Sequence, residues 1–134
     1  MTNPALRARY LAEAVATASP GQLLVMLYDR LVVDLVHAEQ AMAAGDREAS
    51  SERLLHAQDI VVELTTTLDL AAWAGAPGLA QLYGFVLVEL IKANVQRDPE
   101  RVVTCRGLIE PLRDSWREAL GATQYAGVTA AQAG

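Results

Sequence analysis

The stretch TASPGQLLVMLYDRLVVDLV, residues Thr17 to Val36, decides how the chain is read. Ser19 precedes Pro20, and Gln22 stands three positions after Ser19. This is a helix start: a serine N-cap, a proline where its missing N–H costs nothing, and a glutamine placed to close a capping box. Apolar residues then recur in steps of three and four. Leu24, Leu27, Tyr28, Leu31, Leu35, Ala38 and Met42 share one arc, which suffices for a bundle core. Arg30, Asp34 and His37 are expected on the far, polar side. Between the two lies a second apolar strip, Val25, Val32 and Val36. A core-facing stripe of about 100° does not require it.

The same grammar continues outward. Gly45 is placed to stop the first helix and Asp46 to cap the second. Leu54, Ala57, Val61, Leu64 and Leu68 stripe the second helix, and AAWAGAPG, Ala71 to Gly78, reads as a loop. The third helix is expected from about Leu79 to Gln96, striped by Leu79, Leu82, Tyr83, Val86, Leu90 and Ala93. Asp98-Pro99-Glu100 repeats the cap-then-proline start. The fourth helix carries Val102, Cys105, Ile109, Leu112, Trp116 and Leu120 and is expected to end at Gly121. Pro111 interrupts it, but the stripe keeps its phase, so a kink near Gly107 is expected and not a break. Residues 1–18 form an N-terminal arm, with Leu6, Tyr10, Leu11 and Val15 on one side. Residues 122–134 lack periodicity and read as a disordered tail. The fold class is all-α: an antiparallel up-down-up-down four-helix bundle over residues 19–121.

Composition narrows the function. The 134 residues suit one domain. The net charge is −5 and the 11 basic residues are scattered, which is not the footprint of a nucleic-acid binder. The longest apolar run, Leu23 to Tyr28, is far short of a membrane span of about 20 residues. No secretory signal pattern opens the chain, so a cytoplasmic protein that neither spans nor binds a membrane is expected. Cys105 is the single cysteine, which rules out an intrachain disulfide and a Cys-based metal site. It falls on a core stripe, where a thiol acts as a small hydrophobe. Asp34-x-x-His37 and Glu52-x-x-x-His56 lack the second inward-facing motif that a di-metal bundle needs. No catalytic residue, cofactor or metal site is expected. A histidine phosphotransfer bundle built on His56 is the alternative from another class, although Asp59 beside it would repel a phosphoryl group. A structural adaptor bundle that dimerises is a further one.

Surplus apolar surface is the positive signal. Leu55 and Val62 on the second helix, and Phe85 and Val88 on the third, lie off the main stripes. Together with Val25, Val32 and Val36 they exceed what one core can bury. The N-terminal arm, a second copy or a partner segment laid into a groove must cover them.

These residues also carry a resemblance. Tyr10, followed by VATASPGQLLVMLYDR, resembles the opening of the flagellin-specific export chaperone family, FliS. AQDIVVEL (57–64), LIKANVQRD (90–98) and LRDSW (112–116) resemble its later segments in the same order. Arg30 departs from the family's usual glycine, and Pro111 and the 71–78 loop depart from its usual pattern. The resemblance implies a four-helix chaperone that binds the disordered C-terminal segment of flagellin in the cytoplasm. It would prevent premature polymerisation and deliver flagellin to the flagellar type III export apparatus. Without client it would be a monomer or weak homodimer, its groove covered by the arm. Tyr10, Leu11 and Val15 on the arm, and Val25, Val32, Val36, Leu55, Val62, Phe85 and Val88 on the bundle, are the expected partner-binding residues. On this reading Val32→Asp should weaken client binding and spare stability.

Overall fold

The computed structural model describes residues 4–6, 8, 9 and 18–133, with side chains described as far as Ala122. Helix α1, Pro20–Ala43, starts as the sequence dictates. The Gln22 amide N–H donates to Ser19 Oγ at 3.2 Å, and the Ser19 N–H donates to Gln22 Oε1 at 2.8 Å, closing the capping box. Gly45, at φ +71°, ends it by taking the left-handed conformation that disfavours a side chain. Helix α2, Arg47–Thr67, is capped by Asp46, whose carboxylate accepts from the Ala49 N–H at 3.1 Å. Helix α3, Ala76–Gln96, starts three residues before the expected Leu79, because Pro77 sits in its first turn and not in the loop. Helix α4, Pro99–Ala133, runs on past the stop expected at Gly121.

Pro111 lies inside α4 without breaking it. The carbonyl that loses its donor belongs to Gly107, one turn back, and both residues are exposed. The freed carbonyl therefore faces water, which replaces the missing partner. This is why the helix tolerates a proline that would be costly on a buried face.

Short turns join the helices, so successive helices alternate in direction. Each packs on the next, and α4 returns to pack on α1, which closes a four-membered ring. The expected bundle is thus the observed one. Tyr28 on α1 and Tyr83 on α3 meet across its middle, hydroxyl to hydroxyl at 2.5 Å, both buried. Their mutual hydrogen bond satisfies groups that would otherwise cost about 1–3 kcal/mol each to bury. Burial raises the pKa of both phenols, so they stay neutral. Cys105 is buried in the same core, and desolvation, aided by Glu89, pushes its thiol up to about 12.

Two expectations on α1 are corrected. Val32 is only 7% exposed and belongs to the core cluster, and Val36 packs against that cluster. Val25 is 8% exposed, so the three valines do not form an open strip. For Val32 and Val36 the reason is ring closure: α1 has α2 on one side and α4 on the other, so its buried arc must be wide enough for both. Asp34, expected on the polar side, is fully buried against α2. Its carboxylate accepts from Arg53 Nη1 at 3.3 Å and from His56 Nδ1. A buried carboxylate survives only with such partners.

Val32→Asp is therefore expected to destabilise the fold by roughly 3–5 kcal/mol, because it leaves an uncompensated buried charge. Chemical denaturation measures this; a loss below about 0.5 kcal/mol, the range of ordinary surface substitutions, would place Val32 on the surface after all.

Candidate functional site

Where the first turns of α1 and α3 meet the end of α2 and the middle of α4, the bundle holds an apolar cavity of about 600 Å³. Leu23, Leu24 and Leu27 line it from α1, Leu68 closes α2, and Trp73 and Trp116 form a wall. The two indoles meet edge to face, with centroids 6.2 Å apart and planes at 88°. On their other side lies a second hollow of about 440 Å³, floored by Leu112 and Ala119 of α4. The tryptophan pair is thus a partition between two apolar spaces. Gly75 lets it exist: a Cβ there would lie 1.9 Å from the Trp73 ring.

A second apolar surface faces outward. Phe85, Val88, Ile91 and Val95 on α3 are exposed at successive turns, Val95 at 75%. Leu55 and Val62, seven residues apart on α2, are exposed as well. Helix α3 is apolar on its outside as well as its inside, and is long and apolar enough to cross a membrane by length and composition. Lys92, the chain's only lysine, is exposed beside Ile91.

Of the expected partner-binding residues, Leu55, Val62, Phe85 and Val88 are on the surface, whereas Val25 and Val32 are buried and Val36 is half-buried. Tyr10, Leu11 and Val15 lie outside the described residues. Sequence reasoning placed Trp116 among core packers and passed over Trp73 as loop. The cavity between them was hidden because its walls come from all four helices. His56 is held by Asp34, which gives it a structural task. Among the described residues no cluster of His, Cys, Asp and Glu could hold a metal ion.

A helical bundle with two apolar surfaces to spare has the architecture of a binding protein. Comparison with known proteins narrows the class. Residues 1–123 match the family described as "Flagellar protein FliS". The flagellar secretion chaperone FliS of Bacillus subtilis (strain 168) is 33% identical over 115 residues, covering 83% of both chains. That of Salmonella typhimurium is 32% identical over 107 residues, covering 78% of this chain and 79% of its own. That of Vibrio cholerae is 28% identical over 121 residues, covering 90% and 88%. A solved structure described as a flagellar chaperone from bacteria superposes with a TM-score of 0.71 at 20% identity, over 89% of this chain and 99% of that one. At that identity it speaks for the fold alone, and it agrees with the four-helix bundle. The chain belongs to the FliS family of flagellar secretion chaperones, a family of chaperones and not of enzymes.

Both tryptophans of the chain line the cavity, so tryptophan emission reports on this wall. Gly75→Ala is expected to displace the Trp73 ring, shift the emission, and cost about 0.5–1.5 kcal/mol, the value of an aromatic pair. An unshifted spectrum would show that the ring does not lie over Gly75.

Proposed function

We propose that this chain binds the C-terminal segment of newly made flagellin in the cytoplasm, prevents its premature polymerisation and hands it to the flagellar export apparatus. The observation that carries the reading is the outward apolar stripe of α3, Phe85, Val88, Ile91 and Val95, with Leu55 and Val62 on α2. The bundle closes without them. A segment that folds on binding loses conformational entropy and needs a large apolar area in return. A helix laid along α3 would present its own residues at three-four spacing to such a stripe.

The arm of residues 1–18 is the cover in this reading when no client is bound, and the chain is then a monomer or weak homodimer. Val25 supports a cover: it is buried, yet it stands outside the core cluster.

Co-purification with the cognate flagellin, intact and without its C-terminal segment, tests the client. Intact flagellin should be recovered and the truncated form lost; equal recovery would sink the proposed mode. Val88→Asp should weaken capture at least tenfold while changing stability by no more than about 0.5 kcal/mol, as an exposed site allows. Removal of residues 1–18 should raise the binding of an apolar dye, and unchanged dye binding would remove the arm from the reading.

A further inference from the structure

The opposite end of the bundle carries a different feature. Arg53, Arg101, Arg106, Arg113 and Arg117 each pair with a carboxylate. Among the described residues Arg30, Arg47 and Arg97 have no such pairing, and two of these three exposed arginines, Arg47 and Arg97, line one hollow of about 150 Å³ between the α1–α2 and α3–α4 turns.

Each arginine breaks a local rule to be there. Arg47 is the first residue of α2, where the helix dipole is positive and disfavours a cation. The Asp46 carboxylate, its neighbour, is engaged in capping. Arg97 ends α3 at φ +54°, the single non-glycine residue with positive φ among the described residues. Its charge suits the end of α3, but its backbone conformation costs about 1–3 kcal/mol for a residue with a side chain. Gly45 fills the equivalent position after α1, so the chain uses glycine where only geometry matters. Two violations at one hollow mark a site at which local stability was given up.

The lining names the ligand's chemistry. Arg47 and Arg97 against Asp46 leave one net positive charge, which suits a monoanion better than a phosphate near its dianionic form. Met42 and Leu54 provide an apolar part of the wall. The volume admits a side chain and excludes a helix. Guanidinium forks hold carboxylates through paired, charge-assisted hydrogen bonds.

We propose that this hollow binds a carboxylate carried on a short aliphatic stem, supplied by a protein partner as a chain terminus or as an acidic side chain. The site is separate from the α3 stripe, and it does not depend on flagellin being the client.

The full-length chain at low ionic strength is titrated with four probes: N-acetyl-leucine, N-acetyl-leucinamide, N-acetyl-glutamic acid α-amide, and inorganic phosphate. Backbone amide shifts near Arg47 and Arg97 are the readout. Saturable shifts are expected from the two carboxylates and none from leucinamide. Tighter binding of N-acetyl-leucine identifies a chain terminus as the source; tighter binding of the glutamate compound identifies a side chain. Arg47→Ala and Arg97→Gly should each weaken binding about tenfold, the scale of a lost charge-assisted contact. Arg97→Gly should at the same time raise the melting temperature by releasing the left-handed conformation. That combination separates a ligand-binding arginine from a structural one. Equal shifts from leucinamide, tighter binding of phosphate, or undiminished carboxylate binding by Arg97→Gly would each overturn the assignment.

Discussion

Four helices packed in a ring leave each helix two neighbours and one outer face. That geometry decides which apolar residues are explained and which are not. On α1 it absorbs Val32 and Val36, since one side of the helix seats α2 and the other seats α4. The buried arc of a ringed helix is wider than that of a helix lying on a single partner. Residues that remain apolar and exposed after this allowance are the true surplus. They concentrate on α3 and the adjoining side of α2.

Helix α3 accordingly has two tasks with opposite requirements. Tyr83, Val86, Leu90 and Ala93 hold it in the core, while Phe85, Val88, Ile91 and Val95 stand in water. A large exposed apolar patch is a liability for a protein that never covers it. It is an asset for one that shields the apolar segment of another chain, as befits a secretion chaperone. The cavity behind Trp73 and Trp116 adds concave apolar surface at one end of the same bundle.

Much of this was legible in the sequence, because local signals and fold agreed. Ser19, Pro20 and Gln22 announced their helix start atom by atom, and the stripes of α2 and α4 named the core residues that are found there. The failures share one cause. A helical wheel gives angles on an isolated helix, and burial depends on neighbours that the wheel does not contain. Asp34 was assigned to the far, polar side of the helix, yet Arg53 and His56 arrive from α2 to hold it in the interior. Val32 was assigned to the surface since it lies off the main arc, yet α4 closes over it. Trp73 sits in a connection that carries no periodicity, so no pattern pointed to its contact with Trp116.

The distribution of ion pairs has a mechanical consequence. Arg106, Arg113 and Arg117 fasten α4 to α1, Arg101 fastens α4 to α3, and Asp34 fastens α1 to α2. Between α2 and α3, among the described residues, the polar connection is the Asn94 amide donating to Ser51 Oγ at 3.3 Å. Three seams are thus indexed by directional contacts that fix register, and the fourth is held chiefly by apolar packing, which has no preferred direction. Compliance is therefore uneven around the ring. The seam freest to slide by small shear steps is the one flanked by the exposed apolar residues of α2 and α3, so the most apolar open surface also has most room to adapt.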